Sequence, residues 1–361
     1  MNVKMKTYCS LAICTLAAQA LGSSLALADD FPVAAELCSA ELNFREDGVV
    51  YHVPYCRNRA LSSVNQQVTR AVIVIPGSES PARTHYQTVK RLAEEEGVDD
   101  TTTILVPNFL EDDGSGDTVL ETLNLPSNYL YWTSSWRYGN KAVNGNRISS
   151  FAVIDMMIRN LLDNNPNLQH IAVVGHSAGA RVVNRYVGGT SIVATAAAEG
   201  VTMSFGVFAP GTVMYLNNNR PYSTSRCDDN PTSEGNFKRY PDGIEGIEDH
   251  AYMNDSTVSA IRDRLFSRHI YYSVGQDDTD LFTEDCDKVQ GTHRLDLQRK
   301  YEQHLWSACV AHNGGGTAAA ARCNASFFRD ADTFAELPGV DHSHREEYET
   351  RRGRDVLFHW E

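Results

Sequence analysis

Five continuous apolar runs, each ending at a turn or a loop, restrict this chain more than any other feature. They are "AVIVIPG" (71–77), "TTTILVPNF" (101–109), "HIAVVG" (170–175), "VTMSFGVFAP" (201–210) and "HIYYSVG" (269–275). A strand covered on one face alternates apolar with polar residues. These runs do not alternate, so both of their faces are expected to be covered. Segments with helical spacing fall between them. "ARTHYQTVKRLAEEEG" is stopped by Gly97, and "SSFAVIDMMIRNLLDNNP" has a serine near its start and Pro166 beyond its end. A third helix is expected directly after Ser177. Strands alternating with helices predict an α/β fold with a mainly parallel central sheet and helices on both faces. "ELNFREDGVVYHVPY" (41–55) reads as a hairpin ahead of this pattern, and "DTFAEL" (332–337) as a last strand.

Residues 1–28 are of another kind. "MNVKMK" is basic, "LAICTLAAQAL" is apolar, and "ALA" precedes Asp29, the pattern of a secretory signal with a small-residue cleavage site. Gln19 and "GSS" interrupt the apolar run, which makes it short for a membrane span. A single domain over 29–361, exported to the periplasm or the medium as a monomer with no integral membrane association, is the expectation. Its interruptions, near 111–148 and 211–265, are read as cap insertions beyond strand C-termini. The loop at 313–321 is the only low-complexity piece. The formal net charge of -14 becomes -16 once Lys4 and Lys6 leave with the signal. So acidic a chain is not expected to bind nucleic acid, which recruits Lys and Arg.

The sharpest local feature is "GHSAG", Gly175 to Gly179, between a buried strand and a helix. A serine in that turn is held out of the backbone under strain, and the residues two before and two after it must be small. Such a hydroxyl becomes a nucleophile only with a base, and the base needs an acid to orient it. "HIYYSVGQDDTD" offers Asp277, Asp278 and Asp280 after a later strand, and Gly275 opens a turn that favours Asp278 over Asp277. "ELPGVDHSHREE" offers His342 and His344, and the place of His342 three residues past Gly339 favours it. For a developing oxyanion, backbone donors are expected from Ala178, at the start of the helix, and from Ser78 or Gly77 after the early strand. Pro76 has no N–H to give.

The order of "PGS", "GHSAG", "GQDD" and "PGVDH" resembles the α/β-hydrolase superfamily. More narrowly, "YWTSSWRYGN", "GHSAGARVVNRY", "VMYLNNNRPY" and "DCDKVQGTHRL" resemble a group of secreted microbial esterase- or lipase-like hydrolases. The resemblance spans residues 68 to 358. It implies the α/β-hydrolase fold and a triad of Ser177, Asp278 and His342. One departure is "APGTVMY" (209–215), where relatives often read "ANPSSY", so the pocket floor is expected to differ.

The expected function is cleavage of carboxylic esters, small or polymeric, through an acyl-enzyme and with no cofactor. Amide or peptide cleavage and polyester depolymerisation are alternatives on the same triad, and a non-catalytic binding module is an alternative of another class. Trp132 and Trp136, in an aromatic cluster with Tyr129, Tyr131 and Tyr138, are read either as the wall of a substrate pocket or as packing for the first insertion. Arg181, Arg185 and Tyr186 lie on the helix after the serine at spacings that put some of them outward, and surface charge is the default reading. No metal is expected, because the His-x-His pair lacks a third ligand and no acidic run has calcium-ligand spacing.

Six cysteines remain after residue 28: Cys38, Cys56, Cys227, Cys286, Cys309 and Cys323. An even number in an exported chain reads as disulfides. Proximity favours Cys38–Cys56 and Cys309–Cys323, which leaves Cys227–Cys286. Thiol titration of the unfolded, unreduced protein is therefore expected to find no free cysteine, and reduction to lower the melting temperature, since a bridge contributes about 2–4 kcal/mol. Two or more free thiols would rule out three bridges.

Overall fold

The computed structural model describes residues 38–359 except 79–80, 115, 146, 223–236, 255, 285 and 329–332. The signal segment and Cys227 lie outside the described residues.

Five predicted strands form where the apolar runs stand: β3 (Arg70–Ile75), β4 (Thr102–Pro107), β7 (His170–His176), β8 (Thr202–Phe208) and β9 (His269–Gly275). The hairpin is β1 (Ala40–Glu46) with β2 (Val49–Arg57), and β10 (Phe334–Leu337) is the last strand. Together they make one eight-stranded sheet in the order β1-β2-β4-β3-β7-β8-β9-β10. From β4 to β10 every pairing is parallel, and only the hairpin edge is antiparallel. All seven residues of β7 are buried, as a strand covered on both faces requires.

Side chains alternate across the sheet with period two. Ile73 and Ile75 of β3 join the core on one face, and Val72 and Val74 join the core on the other. On the first face pack α3 (Ser150–Asn164), α4 (Ala178–Gly189), α6 (Val258–Ser267) and α7 (Arg294–His312), through Phe151, Val183, Ile261 and Leu305. On the second pack α1 (Ala82–Glu95), α9 (His344–Glu349) and α10 (Arg351–Phe358), through Val89, Tyr348 and Val356. Helix α3 begins as predicted, with the Ser149 side chain accepting the Ala152 amide at 3.0 Å. Helix α1 ends at Gly97, whose φ is +67°.

Two expectations are corrected, and a third point is left open by the sequence. Residues 313–321 are not a loop: α8 (Gly316–Ala325) occupies most of them. Gly314, Gly315 and Gly316, at φ between 75° and 91°, turn the chain out of α7, and the alanine run then continues as helix because alanine is its strongest former. The Cys309–Cys323 disulfide clips α7 to α8, and Cys38–Cys56 closes the β1–β2 hairpin.

Second, the stretch 211–265 is not a single excursion. Residues 211–216 are buried, and α6 is the crossover helix between β8 and β9. Arg185 explains the first part. It is fully buried, not outward-facing, and donates to the Thr212 carbonyl and hydroxyl at 3.2 and 3.0 Å and to Asp242 at 2.9 Å. Tyr186 beside it is also buried, with its hydroxyl on Asp155 at 2.6 Å. A buried charge of this kind is tolerated because every neighbour supplies an acceptor.

Third, the aromatics of the first insertion pack onto the core. That insertion holds α2 (Val119–Thr122) and a small two-stranded sheet of β5 (Leu110–Glu111) with β6 (Tyr131–Trp132). Trp132 is 0% exposed and meets Phe109 edge to face at 5.4 Å, while Trp136 stacks on the same ring at 5.2 Å. Trp132→Ala is therefore expected to cost about 3–5 kcal/mol of stability, as large aromatic truncations in a core do. Chemical denaturation measures this, and a loss below about 1 kcal/mol would return Trp132 to a pocket wall.

Candidate active site

The sheet reverses its winding between β3 and β7, and the crevice beyond the C-terminal ends of these strands is where open α/β sheets accept ligands. Ser177 stands there, between β7 and α4, with φ 53° and ψ −112°. A serine at positive φ is strained, and close packing enforces it. A Cβ on Gly175 would fall 2.2 Å from the Gly179 carbonyl oxygen, and one on Gly179 would fall 2.0 Å from the Ile75 carbonyl oxygen of β3. Both positions must be glycine for the turn to close. The Ser177 amide is tied to the Phe208 carbonyl at 2.9 Å.

Two loops from the far side of the sheet meet the serine. The loop after β9 and the loop after β10 are joined by backbone bonds, Gln276 N–H to the Leu337 carbonyl and Asp277 N–H to the Val340 carbonyl, each 2.9 Å. This stitching turns Asp277 away and seats Asp278 under His342. Asp278 is 0% exposed, its Oδ2 is 2.8 Å from His342 Nδ1, and His342 Nε2 is 3.0 Å from Ser177 Oγ. His344 goes elsewhere: its ring stacks on His85 at 3.9 Å. The Ala178 amide is at the N-terminus of α4, among the amides that a helix leaves unpaired. Of the two donors considered after β3, the Gly77 N–H is spent on His85 Nε2 at 3.3 Å, and Ser78 is exposed at the cleft.

The cleft beside Ser177 has a volume of about 270 Å³. Trp132 and Trp136 do not line it. Arg137, Arg181 and Arg294 do, and these were missed in the sequence or read as surface. Arg294 also reaches Asp278 Oδ1 at 3.4 Å, so the buried carboxylate has a partner on each oxygen.

Next to the serine is a second polar group with no signal in the sequence. His176, the residue before Ser177, has its ring centroid 4.7 Å from that of His342, and its Nε2 is 3.8 Å from Glu347 of α9. Glu347 is 0% exposed, and neither of its carboxylate oxygens has a hydrogen-bond partner. Burial, with the charge of Asp278 second, pushes its pKa well above the carboxylate range. Burial likewise holds His176 and His85 well below the usual histidine value and His344 down at about 4. Burial thus favours the uncharged form of every member of the cluster. Among the described residues, no group of three or more His, Cys, Asp or Glu is placed to hold a metal ion, and no helix is long and apolar enough to cross a membrane.

No family model and no curated protein sequence matches the chain. Solved structures do. A poly(3-hydroxybutyrate) depolymerase, LpqC from Bordetella parapertussis, is 14% identical, with a TM-score of 0.54 over 89% of this chain and 90% of its own. Poly(aspartic acid) hydrolase-1 from Sphingomonas sp. KT-1 is 16% identical, with a TM-score of 0.52 over 89% of this chain and 98% of its own. The fold is the α/β-hydrolase fold.

The buried glutamate makes a testable statement about pH. Its folded pKa is raised, so the unfolded chain gives up this proton at a lower pH than the folded one does. The stability associated with Glu347 is therefore lost as pH rises from about 4.3 toward the folded value. Glu347→Gln removes that loss, and its melting temperature is expected to gain on the wild type as pH rises from about 5 to 8. A difference independent of pH would show that the carboxyl is not held neutral.

Proposed function

We propose that the protein is an exported serine hydrolase that cleaves carboxylic esters through an acyl-enzyme. The observation that carries this reading is the unbroken contact from Ser177 through His342 to Asp278, at 3.0 and 2.8 Å, on a serine under backbone strain. With His342 protonated at Nδ1, that N–H donates to Asp278 and the Ser177 hydroxyl donates to Nε2. Ser177 Oγ attacks the ester carbonyl as its proton passes to Nε2. The oxyanion takes hydrogen bonds from the Ala178 and Ser78 amides. Collapse breaks the bond to the alcohol, which leaves with the proton from Nε2. Water then attacks the acyl carbon, gives its proton to Nε2, and the acid departs as Ser177 regains its hydrogen.

Two neighbours in fold support hydrolysis as the reaction class, since one is described as a polyester depolymerase and the other as a hydrolase of poly(aspartic acid). Two disulfides and a signal-like N-terminus support export.

Ser177→Ala is expected to abolish hydrolysis of p-nitrophenyl acetate and labelling by a fluorophosphonate, at a cost on the order of a millionfold in turnover, while the melting temperature is kept. Asp278→Asn is expected to cost far more than Asp277→Asn, and His342→Ala more than His344→Ala. A wild-type protein that neither turns over the ester nor takes the label would instead be a binding module.

A further inference from the structure

The charges around the serine do not match the charge of the chain. The whole sequence carries a formal -14, yet among the described residues no Asp or Glu lines the cleft, and the Lys and Arg side chains that line it are Arg137, Arg181 and Arg294. They come from three separate places: the short 3-10 turn Ser134–Tyr138 of the first insertion, the first turns of α4, and the start of α7. Three guanidinium groups brought to one cleft of about 270 Å³ are a concentration of charge that the fold must hold against mutual repulsion.

Their counter-ions stand behind the cleft and leave donors over. Glu111 grips Arg137 with both oxygens, at 2.8 and 2.9 Å, and is itself held by the Trp136 indole N–H at 2.8 Å. Asp287 is 3.6 Å from Arg181, outside good hydrogen-bond geometry, and the Tyr138 hydroxyl is a second partner of that guanidinium. Asp278 is shared between Arg294 and His342. A guanidinium has five N–H donors, and one carboxylate uses two at most. The Arg181 guanidinium lies directly against Gly211. A Cβ on Gly211 would lie 2.2 Å from its Nη2, and Gly211 belongs to the "APGTVMY" segment where the sequence departs from its resemblance. Among the described residues, no Phe, Tyr, Trp, Leu, Ile, Val or Met lines the cleft to receive an apolar acyl chain.

We propose that the cleft selects esters bearing a carboxylate close to the scissile bond, with Arg181 and Arg137 as its anion-binding residues. This rests on the hydrolase reading above and adds the substrate class to it. A carboxylate entering the cleft takes charge-assisted hydrogen bonds from a planar fork that is already in position, and the same field draws the anion in against the repulsion of an acidic surface. A neutral ester of the same shape gains neither.

The test compares esters matched in shape. The pairs are p-nitrophenyl hemisuccinate against p-nitrophenyl pentanoate, and para-acetoxybenzoate against para-tolyl acetate, with the carboxylate on the acyl and the alcohol side respectively. In at least one pair the anionic ester is expected to have the higher kcat/KM, about tenfold or more, mostly through KM. That ratio is expected to fall about tenfold in Arg181→Gln or Arg137→Gln and to shrink with added salt in the wild type. Salt dependence needs no folded variant. Neutral esters preferred in both pairs, with no salt effect on the ratio, would overturn the proposal. Binding separates its failure from failure of the hydrolase reading. Ser177→Ala, which cannot turn over, is titrated with monomethyl glutarate and with methyl pentanoate. Tighter binding of the anion upholds the charge selectivity even if no ester is hydrolysed, and equal or weaker binding overturns it.

Discussion

The site depends on one backbone contact, the approach of Gly179 to the carbonyl of Ile75 at the end of β3. At that distance a Cβ would sit 2.0 Å from the oxygen, so the first turn of α4 can close against the sheet only without one. Gly175 gives the matching relief on the other side of the serine. With both in place, the chain leaves β7 and enters α4 through a single strained residue, and that residue is Ser177 at φ 53°. The same contact fixes the end of β3 beside the serine, which sets Gly77 and Ser78 next to Ala178. The strain is held by the buried strands on either side and by the Ser177 amide on Phe208.

Around this fixed point the polar side chains fall into two layers. The layer facing the cleft contains the serine, His342 and three arginines. The layer behind contains Asp278 and Glu347, both fully buried, with His85, while His176 and His344 reach the cleft wall. The two carboxylates differ because their partners differ. Asp278 meets His342 on one oxygen and Arg294 on the other, whereas Glu347 has neither oxygen in a hydrogen bond and burial raises its pKa well above the usual carboxylate value. The guanidinium groups line the cleft while their carboxylate partners Glu111, Asp287 and Asp278 do not, so the charges are separated across its wall on a protein whose total charge is strongly negative.

Much of the fold was legible because both of its signals are local. Runs such as "AVIVIPG" and "HIAVVG" show burial on both faces, and "SSFAVIDMMIRNLL" shows a helix with its cap. The exceptions follow from competing terms. The region 313–321 looked like a loop because of its glycines, but they only turn the corner before an alanine-rich helix. Arg185 looked like a surface residue because buried arginine is rare, and the carbonyls of 181, 212 and 241, the Thr212 hydroxyl and Asp242 together make its burial tolerable.

The sequence alone determined the alternation of strand and helix, the position of the strained serine, and the short loops that hold an acid and a base. Those are consequences of period and of sterics within a few residues. Only the tertiary structure decided that Asp278, not Asp277, meets His342, because loop direction is set by bonds such as Asp277 N–H to the Val340 carbonyl, sixty-three residues away (340 − 277). It also decided that Trp132 and Trp136 belong to the core while Arg137, close in the chain, lines the cleft. Which way a side chain faces in irregular backbone depends on what packs against it from elsewhere in the chain, and no local period records that.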